Sequence, residues 1–315
     1  MEKPVHIRSL KEGIILQLLY SEIFKHPLTK QELVEFLANK ASDSDPTILK
    51  NIDELLNSKL IQKKDEYYFL FDAGNKIERR IEGNRNAEKL MPKAHRIGKL
   101  IHKFPFIEGV GISGSLSKGI LHEDADFDFF IITKTDRLWI ARTLLVLYKK
   151  IFLLNSRKFF CVNYFIDSNH LEIEEKNRFT AVEIATLIPA SGAAILEFQA
   201  KNNWVKNYFP NAMMASTELP SMKKPVWSRL LHFIFKGRFG EFSDKKMMSI
   251  TYKRWNKKFG SFTSEKFDLA MKSRAYVSKH HPNDFQNKVL QKHKELVEKY
   301  RQENEIELKR QHIEL

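Results

Sequence analysis

The part of the sequence that most constrains the fold is the run GVGISGSLSKGILHEDADFDFFIIT. Residues 110–113 are short and apolar, which predicts a buried strand, and residues 127–133 predict a second strand. The Gly114-Ser115 pair ends the first strand, and residues 116–120 can form a helical turn. The pattern therefore predicts two strands connected through a tight turn and a short helix.

Two aspartates, Asp126 and Asp128, lie at the start of the second predicted strand. Strand residues two apart point to the same face, so the two carboxylates should lie side by side with Phe127 turned into the core. Two close carboxylates repel each other unless a proton or a cation lies between them. Magnesium commonly takes one or two carboxylates together with waters and substrate phosphates. We therefore expect these aspartates to bind Mg²⁺.

The Gly114-Ser115 turn has the features of a phosphate-binding site. Glycine has no side chain to block the approach of a ligand to the backbone. The hydroxyl and amide of Ser115, at the start of a helical turn, can donate to phosphate oxygens. Ser117 and Lys118 follow closely and add a hydroxyl and a positive charge. The turn is therefore a candidate site for a triphosphate.

These residues resemble the nucleotidyltransferase fold of the DNA polymerase beta superfamily, whose signature is a Gly-Ser turn, a short helix and then Asp-x-Asp. Here ten residues separate the Gly-Ser turn from the Asp126-Phe127-Asp128 triplet, and a Lys-Gly step follows the turn. The following helix DRLWIARTLL and strand FCVNYFI also look like those of bacterial nucleotidyltransferase-domain proteins. The resemblance covers residues 106–166.

The resemblance implies transfer of a nucleoside monophosphate from an NTP to an acceptor, with release of pyrophosphate. It implies that Asp126 and Asp128 are the catalytic residues and bind one or two Mg²⁺ ions. It also implies that Gly114, Ser115 and Lys118 bind the nucleotide. The acceptor and the preferred base stay open, because acceptor choice lies in the flanking domains.

The family places a third carboxylate on the next core strand, where this chain has Asn163. An amide is a poor metal ligand and cannot act as a base. Four acidic residues are alternatives, and spacing does not choose among them: Asp124, Asp167, Glu172 and Glu174. The runner-up hypothesis is therefore a catalytically impaired regulator that binds nucleotide or DNA. A third hypothesis is a component of a toxin–antitoxin pair.

The first 74 residues predict three helices followed by a β-hairpin, with a capping box at Thr29 and Glu32. This order resembles the winged helix-turn-helix family. If the module binds DNA, Thr47, Lys50 and Asn51 on the third helix are the candidate contacts. A structural or protein-binding role for the module is the alternative.

The predicted fold is α+β, with a nucleotidyltransferase core of a small mixed sheet flanked by helices. The predicted segments are a winged-helix-like module at 1–74, a linker helix at 75–104, the core at 105–175 and a mainly helical basic domain at 176–315. We interpret Arg137 and Arg142, on the helix after the second strand, as solvated side chains.

The formal net charge of +14 favours polyanionic partners, so nucleic acid is a possible partner in addition to NTP. Residues 223–310 hold 22 Lys and Arg against 10 Asp and Glu, which places most of the excess there. The single cysteine, Cys161, excludes an intramolecular disulfide, and its apolar flanks predict a packed thiol. Because no apolar run is long enough to span a bilayer, we expect a cytoplasmic protein without a membrane partner.

Overall fold

The structure is a computed structural model that describes residues 9–42, 45–122, 125–156, 158–214, 219–220 and 222–315. Asp124, one alternative for the third carboxylate, lies outside these ranges. The helices are α1 (Leu10–Glu22), α2 (Lys30–Glu35), α3 (Pro46–Asn57), α4 (Lys76–His102), α5 (Gly114–Ser117), α6 (Leu138–Phe152), α7 (Arg178–Ala185), α8 (Ala194–Lys201), α9 (Val226–Ile234), α10 (Gly237–Lys258), α11 (Ser264–Ala270) and α12 (Phe285–Arg310). The strands are β1 (Leu28–Thr29), β2 (Gln62–Lys64), β3 (Tyr67–Phe69), β4 (Ile107–Ser113), β5 (Asp128–Thr133), β6 (Cys161–Asp167), β7 (Ile188–Ser191), β8 (Ser273–Arg274) and β9 (Val277–Lys279).

The N-terminal module contains the three predicted helices and the predicted hairpin. Thr29 and Glu32 form the reciprocal capping box that starts α2, and Asp45 caps α3. The hairpin β2–β3 is antiparallel, and β1 pairs with the other edge of β3. The order of elements is therefore the predicted one, and the winged-helix assignment stays a prediction.

The C-terminal helix α12 packs onto this module. Tyr300, Leu308 and Ile313 join the buried core formed by α1 and α3. The Tyr300 hydroxyl donates to the carbonyl of Leu60, just before β2. As a result α1 is buried on nearly all sides, which explains why apolar residues surround it instead of forming one stripe.

The central sheet has six strands in the order β7-β4-β5-β6-β9-β8. The β4 and β5 strands are antiparallel, and β5 and β6 are parallel, so the sheet is mixed. Strands β7, β8 and β9 come from the predicted C-terminal domain and extend the core sheet at both edges. The class is α+β, as predicted.

Helix α4 packs against one face of the sheet through small residues. Gly83, Ala87, Ala94 and Gly98 lie on its buried side, and a Cβ on Gly98 would lie 2.7 Å from the Cβ of Ala190. The sequence predicts one buried stripe for this helix, formed by Ile77, Ile81, Leu90, Ile97 and Leu100, and this prediction is wrong in part because Ile81 is exposed. Close approach to the sheet requires small side chains, which a search for large apolar residues does not find.

Across the described residues, none of the helices combines the length and the apolar character needed to cross a membrane.

Candidate functional site

The Gly-Ser turn and the second aspartate are in direct contact. Ser113, the last residue of β4, pairs with Asp128, the first residue of β5. Gly114 has φ +71°, and a Cβ there would lie 2.5 Å from the Asp128 Oδ2. Both the backbone conformation and the available space therefore require glycine.

The turn is held by its own side chains. Ser117 Oγ and Lys118 Nζ both donate to the Gly114 carbonyl, at 2.9 and 3.0 Å. The short helix α5 therefore starts at a fixed position beside the carboxylate of Asp128. Ser115, the second residue of this helix, lines the cavity described below.

Asp126 and Asp128 line the same cavity, although only Asp128 belongs to a strand. Asp126 lies in the segment immediately before β5. Phe127 between them is fully buried and packs against Phe159, with 5.0 Å between the ring centroids. The predicted arrangement, with two carboxylates on one side and the phenylalanine in the core, is therefore present.

Asp128 is partly buried beside other acidic residues. Its pKa is raised to about 6, mainly by burial and also by the negative charges of Glu183 and Asp126, while Cys161 and Lys118 act in the opposite direction. Asn163 Nδ2 donates to Asp128 Oδ1 at 3.2 Å. The hydrogen bonds and positive charges around Asp128 therefore do not compensate its ionised carboxylate for the loss of solvation. The site consequently favours a proton or a cation beside this carboxylate.

Glu183, on α7, is a third acidic residue of this site that the sequence does not identify. It forms an ion pair with Lys118 at 2.8 Å, and both side chains are partly exposed to the cavity. Lys118 is therefore neutralised by a protein group. The only feature of the sequence that marks Glu183 is that it is a single acidic residue in the apolar stretch FTAVEIATL, most of which forms α7.

The other described alternatives for the third carboxylate lie elsewhere. Asp167 pairs with Thr133 at the opposite end of β5 from Asp128, and it binds His170. Glu172 pairs with Lys176, and Glu174 with Lys272. None of these three carboxylates lines the cavity of Asp126 and Asp128.

Asn163 occupies the predicted position on β6. It lies where the register between β5 and β6 shifts, between the pairs Phe129–Val162 and Phe130–Tyr164. Its amide nitrogen faces Asp128, so the residue orients that carboxylate by hydrogen bonding.

The cavity has a volume of about 650 Å³, within the usual range for small-molecule sites. Beyond the acidic residues it is mainly apolar and lies between the N-terminal module, the sheet and α7. Aromatic side chains from these elements line it: Tyr20, Phe24, Phe130, Tyr164, Phe179 and Phe285. The site therefore combines the acidic residues around Asp128 with apolar and aromatic surface in one cavity.

Two arginines that the sequence suggests are solvated pack within the protein, Arg137 buried and Arg142 half-buried. Arg137 donates to the carbonyls of Phe235 and Gly237, both at 3.0 Å. Arg142 stacks over the ring of Trp255, and burial lowers its pKa to about 10. Neither side chain lines the cavity, so both have structural roles.

The donor set fits a hard divalent cation. The carboxylates of Asp126 and Asp128 are the oxygen ligands that Mg²⁺ prefers, and burial raises the pKa of Asp128, so a bound cation would offset the cost of its buried charge. Within the described ranges, no group of three or more His, Cys, Asp or Glu side chains is arranged to hold a metal ion.

Comparison of the chain with protein-family models, with curated proteins and with solved structures gave no match.

Proposed function

We propose that the protein is a Mg²⁺-dependent nucleotidyltransferase that moves a nucleoside monophosphate from an NTP to an acceptor. The observation that supports this most directly is the contact between Gly114 and Asp128. It brings a phosphate-binding type of turn against one of two carboxylates in a single cavity. Nucleotidyl transfer needs this combination, because the reacting phosphate must lie between its anchoring groups and the metal.

In this proposal Asp126 and Asp128 hold the metal. When bound, Mg²⁺ neutralises phosphate charge and stabilises both the attacking and the leaving oxygens. The amide and hydroxyl of Ser115 donate to the outer phosphates, which approach the backbone closely at Gly114. Asn163 keeps the Asp128 carboxylate in one orientation. The protein therefore contributes mainly orientation and electrostatics.

Glu183 is the proposed substitute for the missing third carboxylate. An incoming triphosphate is more strongly charged than Glu183 and competes with it for Lys118. A carboxylate released from this ion pair is free to accept the proton of the acceptor hydroxyl at its own oxygen. The ion pair between Lys118 and Glu183 is thus replaced by two interactions with substrate, one between Lys118 and the triphosphate and one between Glu183 and the acceptor hydroxyl.

The test uses the full chain with NTPs labelled on the α-phosphate. We expect Mg²⁺-dependent release of pyrophosphate and transfer of label to a component of a small-molecule, RNA or protein pool. Asp126→Asn should abolish both, while Asp53→Asn, on the exposed side of α3, should not. Full transfer by the Asp126→Asn variant would overturn the proposal.

A regulatory role is the second candidate, and one observation favours it. On β6, Asn163 presents an amide donor to Asp128, at the position where the nucleotidyltransferase family that the sequence resembles has a carboxylate. A regulator would bind NTP with Mg²⁺ but transfer no label. If it acts through the N-terminal module, it would also retard DNA with a steep dependence on salt.

A further inference from the structure

Helix α9 exposes its apolar side. Ser228 is its buried residue, with 1% exposure, whereas Trp227 and four other large apolar residues are exposed. The four others are Val226, Leu230, Phe233 and Ile234. With 3.6 residues per turn they form one stripe, nearly opposite Ser228. A helix on the surface of a soluble domain usually turns such a stripe inward, so α9 has the reverse orientation.

The apolar surface continues onto the end of α6. Trp227 on α9 packs on Phe104, Phe104 packs on Tyr148, and Tyr148 packs on Phe152, with ring centroids 5.0 to 5.3 Å apart. Further exposed apolar residues lie beside Phe152: Leu147, Ile151 and Leu154. We call these residues and the α9 stripe the α6–α9 face.

The position of α9 is fixed by a half-buried lysine. Lys224 Nζ donates to the carbonyls of Phe104 and Ile107, at 3.0 and 2.7 Å, and also to that of His102. These bonds hold the chain just before α9 against the end of α4 and the start of β4. The exposed stripe is therefore part of a supported surface.

The two segments of chain that form the α6–α9 face carry charges of one sign. Residues 137–166 and 219–240 contain Lys and Arg but no Asp or Glu. Among the described residues of these two segments, the exposed cations are Lys150, Lys158, Lys223, Arg229, Lys236 and Arg238. An exposed apolar surface on segments whose charged residues are all cations matches the composition of helices that lie in the interface of anionic membranes.

We propose that the α6–α9 face binds the surface of a bilayer that contains anionic lipid. The apolar stripe would enter the boundary between head groups and acyl chains, and the bordering cations would contact lipid phosphates. A second copy of the chain would bring like charges together across the contact. Nucleic acid offers phosphates but no partner for exposed aliphatic side chains. This mode needs no membrane-spanning helix, and it differs from the sequence-based expectation of no membrane partner.

The experiment measures sedimentation of the full chain with vesicles. One set contains phosphatidylcholine with phosphatidylglycerol, and the other phosphatidylcholine alone. We expect binding to the first set only, with a loss of binding at high salt. Phe233→Ser should weaken binding about tenfold, the effect of removing one large apolar group from the interface. Ile306→Ser, at a similarly exposed position on α12 (72% against 74%), is the matched control and should bind normally.

A second pair of variants tests the charges. Lys150→Gln with Arg229→Gln should weaken binding to the anionic vesicles, and Lys50→Gln with Arg301→Gln, which removes two exposed cations elsewhere, should not. Absence of vesicle binding, or equal losses in test and control variants, would overturn the proposal. So would a concentration-dependent dimer that Phe233→Ser converts to a monomer without vesicle binding, because a second copy would then cover the face.

Discussion

Gly114 and Gly119 have almost the same left-handed backbone, with φ of +71° and +70°, but different surroundings. An added Cβ at Gly119 meets nothing within 4 Å, while one at Gly114 meets the Asp128 carboxylate. Gly119→Ala should cost only the strain of a left-handed alanine, about 1 kcal/mol in the free energy of unfolding. Gly114→Ala should cost more and should also abolish nucleotide binding, because Asp128 must move. Denaturant unfolding and calorimetric titration with NTP check both effects, and equal losses in the two variants would contradict the account.

Asp128 should make the stability of the metal-free chain depend on pH. Its folded-state pKa of about 6 is higher than its usual value, so the unfolded state releases the proton first as the pH rises. The resulting penalty is absent below about pH 4 and complete above about pH 6. Asp128→Asn should therefore raise the free energy of unfolding by up to about 3 kcal/mol above pH 6, with little effect near pH 4.

The same pair of proteins tests the metal. At neutral pH, Mg²⁺ should raise the melting temperature of the unmodified chain, because it binds only the folded state. It should have a much smaller effect on Asp128→Asn. An equal Mg²⁺ effect in both proteins would show that Asp128 does not bind the ion.

At the scale of single residues, the sequence identifies those site residues that lie close together in the chain. Gly114, Ser115 and the two aspartates lie within one short run, so turn chemistry and strand alternation are sufficient to bring them together. Glu183 cannot be found in this way. It reaches the site only because α7 packs across the sheet, and that contact joins residues far apart in the chain.

At the scale of secondary structure, α6 begins without a side-chain cap of its own. Asp244, on α10, supplies the missing acceptor, and its Oδ1 accepts from the Ile140 amide at 2.8 Å. Asp244→Ala should lower the free energy of unfolding by about 2 kcal/mol, because it leaves a buried amide without a partner. Asp244→Asn keeps an acceptor and should lose much less. Thermal and denaturant unfolding measure the difference, and similar losses would show that the cap is unimportant.

The sequence predicts well those helices and strands whose own residues form a clear pattern, such as a cap or an apolar run. The capping box of α2 and the apolar strands on both sides of the Gly-Ser turn lie close to their predicted positions. Strands β8 and β9, at one side of the sheet, have only two and three residues, and the pairing of β9 with β6 is what joins them to the sheet. Such strands depend on a partner that is distant in sequence, so local patterns do not reveal them.

At the scale of the whole molecule, α12 connects the N-terminal module to the cavity. Its first residue, Phe285, lines the cavity together with Tyr20 of α1, while Tyr300 is buried in the module's core. Loosening the far end of α12 should therefore disturb the ligand site as well as the module. The excess of positive charge in residues 223–310 does not predict this role, because the contacts of α12 with the module are made by its buried residues.

The corresponding variant is Tyr300→Ala. It should lower the free energy of unfolding by about 3 to 5 kcal/mol, as expected for loss of a large buried aromatic side chain. Tyr300→Phe keeps the ring and loses only the bond to the Leu60 carbonyl, so about 1 kcal/mol is expected. Ile306→Ala, on the exposed side of the same helix, should have little effect. Calorimetric titration of folded Tyr300→Ala with NTP and Mg²⁺ should show weaker binding, and unchanged affinity would mean that the module and the cavity are energetically independent.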